Sequence, residues 1–139
     1  MHGKASKAVG QPLVFNQKAD TLYEQIGGDP TFRRLVDAFY ARVEKDPLLR
    51  PIFPADLSEG KENQLLFLTQ YWGGPARYEA QRGHPRLRMR HAPFAIGPAE
   101  RDAWYANMIA AIDEVGIPEP ARGQMVEYFD RAATFMINR

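Results

Sequence analysis

The sequence predicts an all-α fold, and three features of the chain support this prediction. Apolar residues recur every three or four positions in several long stretches, which is the periodicity of amphipathic helices. Typical helix-start residues precede these stretches and glycines follow them. No stretch shows the two-residue alternation, bounded by hairpin turns, that would indicate a β-strand.

The first helices can be assigned in order along the chain. A short helix opens at the capping-box pattern Thr21–Glu24 and stops at Gly27-Gly28. A long amphipathic helix follows, with Asp29 as its cap and Pro30 in its first turn, and ends near Asp46-Pro47. Prolines interrupt residues 47–54, so tight apolar turns are expected there instead of a long helix.

The second half of the chain predicts more helices, for a total of five or six. The third helix should start with Asp56 as its cap and run to about Trp72. Residues 75–85 are interpreted as a polar loop, which at that length is usually functional or mobile. The last two long helices should run from Gly97-Pro98 to Gly116 and from about Pro120 to Asn138.

Two parts of the chain differ in composition. Residues 1–20 are rich in small and polar residues, so they predict a flexible N-terminal extension that could dock only through Leu13-Val14-Phe15. Residues 21–139 carry the helical pattern and have the length of one domain.

Composition excludes several classes of function. With 18 basic and 17 acidic residues, the net charge of +1 gives no reason to expect nucleic acid or an anionic membrane as the main partner. The absence of cysteine excludes disulfides, iron–sulfur clusters and thiolate catalysis, and leaves His, carboxylate or Tyr as metal ligands. No run of about 18 apolar residues and no signal-peptide core occurs, so we expect a cytoplasmic protein.

Of the three histidines, His91 has the setting that best suits a metal ligand. Leu87, His91 and Phe94 are spaced by four and three residues, so they would share one face of a short helix that Pro93 helps to end. A neutral imidazole on such a face could bind a metal. On this segment alone, a hydrogen-bonded core histidine is the commoner explanation.

The rest of the chain reduces the number of chemical sites that the sequence could form. The two serines lie in a tail and a helix start, which is poor support for a Ser-His-Asp site, and no phosphate-binding or H-E-x-x-H motif occurs. Tyr40, Gln64, Tyr71 and Trp104 lie on the inner faces of predicted helices and need hydrogen-bond partners when buried. Each alone is more often a core residue, but such donors around one imidazole in an all-α chain without cysteine suggest haem.

Five short motifs give the sequence a recognisable family pattern. The motifs are Tyr23-x-x-Ile-Gly-Gly28, Phe39-Tyr40-x-x-Val43, Gln70-Tyr-Trp-Gly-Gly-Pro75, the run from Arg82 to Phe94, and Glu100-Arg-Asp-x-Trp104. With these motifs, the sequence resembles the truncated haemoglobins of the second (O-type) group from about Leu22 to Asn138.

The resemblance implies a globin-like two-over-two helical sandwich that encloses one haem b. His91 matches the proximal ligand of the iron in this family. Tyr40 matches the distal tyrosine that hydrogen-bonds bound O₂, and Trp104 matches the indole that donates into the same pocket. Phe53 lies where many relatives have a second tyrosine, so one distal hydroxyl is missing and any mechanism that needs two tyrosines is in doubt.

Other matched positions depart from the family pattern or extend it. Gly60 lies where vertebrate globins have a distal histidine, and Gln64 lies one turn later, where we expect its amide to enter the pocket. The alternative is that Gln64 bonds only to backbone. Asn63 replaces an arginine that often faces a haem propionate. We expect Arg90 to bind the propionates instead, with Arg88, His84 and Tyr78 as alternatives. Apolar haem contacts are expected from Phe67, Leu68, Leu87, Phe94 and Met108.

The expected function is binding of O₂ and other diatomic ligands, including NO and CO, at a five-coordinate iron with slow release. The alternative is a haem redox enzyme, an NO dioxygenase or a peroxidase acting on H₂O₂, that uses a separate reductase. Sulfide is a further candidate ligand and a homodimer a further hypothesis. A haem-free helical interaction domain, with His91 in its core, is the third hypothesis. The residues do not decide whether the protein is an enzyme.

Overall fold

The computed structural model describes residues 20–83 and 95–138, and these two ranges contain six α-helices, one 3-10 turn and no strand. The helices are α1 (Leu22–Gln25), α2 (Asp29–Lys45), α3 (Ser58–Tyr71), α4 (Arg77–Arg82), α5 (Pro98–Val115) and α6 (Ala121–Phe135), and the 3-10 turn is Arg50–Ile52. The predicted all-α class is confirmed. The predictions for the N-terminal extension up to residue 19 and for the short helix around His91 lie outside the described residues.

Two helix pairs form the core. Helix α2 packs against α3, α5 packs against α6, and the pairs meet where α2 contacts α5. The apolar positions that predicted α2 are fully buried at this meeting point, as expected for an amphipathic helix whose stripe faces the core: Phe32, Leu35, Val36, Phe39 and Val43. Within the described ranges, no helix combines the length and hydrophobicity needed to cross a membrane.

The predicted helix starts are partly confirmed. Thr21 caps α1, because its hydroxyl oxygen accepts a hydrogen bond from the Glu24 backbone N–H at 3.1 Å. Asp29 does not cap α2, since Gly28 holds the cap position and the Asp29 carboxylate is bonded elsewhere. Helix α3 begins at Ser58, after Asp56, whose carboxylate accepts from the Ser58 backbone N–H at 3.0 Å.

The ends of α5 agree with the sequence prediction. The Glu100 carboxylate accepts a hydrogen bond from the Gly97 backbone N–H at 2.8 Å, which satisfies a donor at the helix start. Gly116 ends the helix in the left-handed region, with φ of 82°, where glycine carries no steric penalty.

The segment predicted to be a polar loop contains helix α4, so that prediction was wrong. The side-chain oxygen of Gln70 accepts a hydrogen bond from the Glu79 backbone N–H at 2.9 Å and so satisfies a donor in the first turn of α4. The helix has only six residues and ends at Gly83, whose φ is 75°. Its stability depends on partners distant in sequence, and local periodicity does not reveal them.

A polar clamp holds the start of α4 against the start of α2. The Arg77 guanidinium donates to both carboxylate oxygens of Asp29, at 3.0 and 2.8 Å. The Tyr23 hydroxyl donates to the same carboxylate at 2.8 Å, and Arg77 also donates to the Thr69 hydroxyl at 3.2 Å. Bidentate, charge-assisted bonds of this kind fix orientation as well as adding stability. The clamp therefore positions α4.

The clamp predicts a pH-dependent contribution to stability. Hydrogen bonds from Arg77 are the main cause that lowers the pKa of Asp29 below its ordinary value of 3.8. A lowered folded-state pKa contributes stability above pH 3.8, and this contribution is lost as pH falls through the folded-state value. We therefore expect Asp29→Asn to lower the free energy of unfolding above pH 3.8 and to match wild type well below it, in urea titrations. Asp20→Asn is the control for loss of one exposed carboxylate, and an Asp29→Asn effect that is equal at both pH values would contradict this role.

Gly73 and Gly74 let the end of α3 approach α1 closely. A Cβ atom on Gly73 would lie 2.6 Å from the Thr21 side chain, and one on Gly74 would lie 2.8 Å from the Tyr23 ring. The Tyr23 backbone N–H donates to the Trp72 carbonyl at 2.9 Å across the same contact. The glycine pair is therefore needed for helix packing.

Candidate functional site

A cavity of about 650 Å³ lies between the 3-10 turn, α3, α5 and α6. This volume falls within the roughly 300–1,000 Å³ that is usual for ligand and cofactor sites. Its walls are largely apolar, with Leu49, Ile52, Leu68 and Phe129 among them. Polar groups enter the wall at a few places, so the cavity combines the two features expected of a cofactor site.

The structure brings nearly all of the predicted site residues in its described part to this cavity. These residues come from helices α2, α3, α4 and α5 and from the corner after α2. The predicted residues that line the cavity are Tyr40, Phe53, Gly60, Asn63, Gln64, Phe67, Leu68, Tyr78 and Trp104. Met108 is not brought there: its side chain is fully buried in the core, one helical turn beyond Trp104.

The remaining predicted site residues lie outside the described residues. These are His84, Leu87, Arg90, His91 and Phe94, together with the alternative Arg88. On either side of this segment, the nearest described residues that line the cavity are Arg82 and Ile96.

Tyr40 is buried at the cavity wall, and its ring is packed between other aromatic rings. Its side chain is only 6% exposed, and its ring makes edge-to-face contacts with Phe39 and Phe53 at centroid distances of 5.4 and 5.9 Å. Burial raises the pKa of Tyr40 to about 12, since an ionised phenolate would be poorly solvated. No described residue hydrogen-bonds to its hydroxyl. Tyr40 is therefore a neutral phenol whose O–H is available to a ligand.

Gly60 leaves the space that the Tyr40 hydroxyl uses. A Cβ atom at position 60 would lie 2.9 Å from the Tyr40 hydroxyl oxygen and 3.6 Å from the adjacent ring carbon. Any larger residue would have to move the phenol or the helix. Because Gly60 has no side chain, the Tyr40 hydroxyl can occupy its observed position.

Gln64 presents a polar atom that lacks a partner. Its side-chain oxygen is buried and has no hydrogen bond in the described part of the chain, although the residue lines the cavity. A buried polar atom left unpaired costs about 1–3 kcal/mol. Rotation about the terminal bond of the amide exchanges its acceptor and donor. A ligand in the cavity that can bond to either end would remove this cost.

Trp104 forms the α5 side of the cavity. Its indole is half-buried and packs edge-on against Phe39 and Phe129, at centroid distances of 5.4 and 5.7 Å. The two phenylalanines come from α2 and α6, so the plane of the indole is set by both helix pairs. Trp104 therefore lines the same cavity as Tyr40, although it comes from a different helix.

Arg82 is a cavity residue that the sequence prediction missed. It forms an ion pair with Glu59 at 3.8 Å, and its guanidinium carbon lies 5.9 Å from the centroid of the Tyr78 ring. All three residues line the cavity. Arg82 belongs to one of the family motifs, but its assignment to a polar loop hid its position at the end of α4. It places a cation at the cavity wall.

The sequence prediction also missed Tyr128 and Phe129 on α6. Both line the cavity. A helix that covers the edge of a cavity has the same apolar spacing as one that covers only protein. The pattern therefore could not separate these two cases.

The residues present fit a haem group. The largely apolar walls suit the face of a macrocycle. The Gln64 oxygen and the Tyr40 hydroxyl, neither of which has a hydrogen-bond partner among the described residues, suit a polar ligand at its centre. Arg82 and Asn63 supply a cation and an amide to the wall that could meet anionic groups at the edge of the macrocycle.

Comparison with known proteins agrees with this chemistry. Residues 21–138 match the family model described as bacterial-like globin. The chain is 44% identical over 133 residues to the group 2 truncated haemoglobin YjbI of Bacillus subtilis, covering 96% of this chain and 87% of the relative.

Solved structures show the same similarity in three dimensions. A haemoglobin from the thermophilic phototrophic bacterium Chloroflexus aurantiacus has 66% identity and a TM-score of 0.85, covering 87% of this chain and all of that one. A truncated oxygen-avid haemoglobin from Bacillus subtilis has 44% identity and a TM-score of 0.82, covering 86% of this chain and 100% of that one. The predicted two-over-two globin fold is confirmed. This chain belongs to the bacterial-like globin family and, within it, to the group II truncated haemoglobins.

Proposed function

We propose that this protein binds one haem b in the cavity through His91, and that it holds O₂ there with hydrogen bonds from Tyr40 and Trp104, so that release is slow. The family supports a haem cofactor and binding of diatomic ligands. One relative is described as oxygen-avid. The observation that carries the proposal is the buried hydroxyl of Tyr40 at the cavity wall, which no described residue hydrogen-bonds and whose pKa is raised by burial to about 12.

The chain supplies groups for each part of the macrocycle. His91 would hold the iron through an imidazole nitrogen. It is five residues from Ile96 in the cavity wall, a separation that extended chain limits to roughly 18 Å. Phe53, Phe67 and Leu68 would contact its faces. Arg82 joins Arg90 as a candidate partner for the propionates. When bound, haem supplies an iron that binds diatomic gases reversibly.

The distal residues would act by donating hydrogen bonds and excluding water. The Tyr40 hydroxyl would donate a hydrogen bond to a dioxygen molecule in the cavity. The Trp104 indole N–H would donate a second hydrogen bond from the α5 side. The amide of Gln64 would donate to the ligand or to Tyr40, which would also satisfy that side chain. Each bond to a ligand with negative charge on oxygen contributes about 1.5–3 kcal/mol in a site of low dielectric.

Gly60→Ala tests whether the position of the Tyr40 hydroxyl controls ligand release. The new methyl group would lie 2.9 Å from that hydroxyl and displace it, so we expect faster O₂ dissociation in stopped-flow measurements. Gly123→Ala, on α6, is the matched control, because the nearest atom to its new Cβ, 3.1 Å away, belongs to the exposed side chain of Glu119, just before that helix. Equal dissociation rates for Gly60→Ala and wild type would contradict the role assigned to Gly60.

The second candidate function is a haem redox enzyme, either an NO dioxygenase or a peroxidase. The donors that favour O₂ would also stabilise developing negative charge on a peroxide or on O₂ that reacts with NO. Under either function, mixing the oxygenated ferrous protein with NO should yield nitrate in a single turnover, at most one nitrate per protein. Repeated turnover with a separate reductant would indicate the enzyme, whereas slow O₂ release without sustained turnover would support the binding protein.

A further inference from the structure

We infer that Tyr71 is the solvent end of a chain of aromatic rings that begins at the cavity wall, and that one-electron oxidation of this protein ends there. Tyr71 would then be a surface redox site, where a one-electron reductant in solution, of the ascorbate class, repairs the oxidised protein. All residues of this path lie within the described ranges, and the path does not depend on what occupies the cavity.

The rings are in contact along the whole path. Trp104, which lines the cavity, packs against Phe129 at a centroid distance of 5.7 Å. Phe129 contacts Trp72 at 5.6 Å, and Trp72 contacts Tyr71 at 5.0 Å. Phe129 is only 2% exposed, so it excludes water from the middle of the path. Electron transfer between side chains in such contact needs no movement of the backbone.

A second branch reaches Tyr71 through Tyr128. The Tyr128 ring lines the cavity, lies 5.1 Å from Trp72 and 4.3 Å from Tyr71, and also contacts Phe129 at 5.4 Å. Two branches that start at the cavity wall therefore meet at one surface residue.

Exposure makes Tyr71 the end of the path. A phenol forms a stable neutral radical only if it loses its proton, whereas an indole can lose an electron first and keep its proton. All six tyrosines lie within the described ranges. Only Tyr71, at 48%, is exposed, so the prediction that it lies on an inner helix face was wrong; the others are buried or half-buried. Burial raises the pKa of Tyr128 to about 12, which opposes release of its proton. Tyr71 can release its proton directly to water.

Oxidation along this path moves one electron to the oxidant and releases one proton to water. A one-electron oxidant takes an electron from the indole of Trp104 or Trp72 and leaves an indole radical cation. An electron from Tyr71 refills the indole, and the phenolic proton of Tyr71 passes to water, so the product is a neutral tyrosyl radical. A reductant that gives one electron, with one proton from water, restores the phenol. Without a reductant, two radicals on separate chains join through ring carbons to form dityrosine.

Pulse radiolysis of the full chain tests this path directly. Azide radicals, which oxidise tryptophan preferentially, are generated in the protein solution, and the absorbance of tryptophan and tyrosine radicals is followed in time. In wild type we expect the tryptophan radical to decay as the tyrosine radical forms, at a rate independent of protein concentration. In Tyr71→Phe we expect loss of this decay and of the dityrosine-linked dimer.

Tyr105→Phe is the matched control. Tyr105 follows Trp104 on α5, and its ring packs against the Arg101 guanidinium at 4.9 Å, with no ring pairing to a described member of the path. This variant should behave as wild type, and circular dichroism should show that both variants are folded. The inference is overturned if Tyr71→Phe keeps the wild-type decay, if the decay depends on protein concentration, or if peptide mapping places the dityrosine on another tyrosine.

Discussion

Tyr40→Phe is expected to raise the rate of O₂ release from the haem-loaded protein by about ten- to hundredfold. The substitution keeps the ring contacts with Phe39 and Phe53 and removes only the hydroxyl. A charge-assisted hydrogen bond of about 1.5–3 kcal/mol, lost before the ligand leaves, corresponds to this range of rates. The measurement is stopped-flow displacement of O₂ by CO.

The effect of Tyr40 should be independent of pH over the physiological range and well above it. Because burial raises the pKa of Tyr40 to about 12, the phenol keeps its proton and remains a donor at any lower pH. Tyr105→Phe, which removes a hydroxyl that does not line the cavity, should leave O₂ release unchanged. An unchanged rate in Tyr40→Phe would show that the hydroxyl does not reach the ligand, and Trp104 and Gln64 would then have to supply the stabilisation.

His91→Gly is expected to have the largest effect, because it removes the proposed axial ligand. The variant should lose haem to an excess of apomyoglobin far faster than wild type, since only contacts with the cavity wall would retain the group. Added imidazole should fill the vacated position and restore haem retention. His2→Gly, a histidine change in the N-terminal extension, is the control and should behave as wild type. Equal haem loss from His91→Gly and wild type would assign the axial ligand to another residue.

Local sequence signals predicted the long helices well and the tertiary contacts poorly. The apolar spacing from Phe32 to Val43 was enough to predict α2, because few structures other than an amphipathic helix give that spacing over such a length. Asp29 followed the pattern of a helix cap, yet its carboxylate is bound by Arg77, 48 residues later in the chain. The same bond helps to hold α4, which had been predicted as loop. Partners so far apart leave no local periodic signal.

The prediction of the candidate site was limited in a similar way. Trp104 and Met108 lie one turn apart on α5; Trp104 was predicted to donate a hydrogen bond into the ligand pocket and Met108 to contact the haem. The structure places Trp104 at the cavity and buries Met108 in the core. Helical spacing identifies the buried face of a helix, but it does not tell which part of that face meets a cavity. The space that Gly60 leaves for the Tyr40 hydroxyl likewise depends on how α2 and α3 cross.

The absorption spectrum of the purified protein supplied with haem tests the central proposal most directly. Ferric, reduced and CO-bound forms should be recorded for wild type and for His91→Gly. We expect wild type to show an intense Soret band that shifts when CO binds, and His91→Gly to lack it unless imidazole is added. If wild-type protein carries no Soret band after unbound haem is removed by gel filtration, the cavity is not a haem site, and the functions proposed for Tyr40, Trp104 and His91 are wrong.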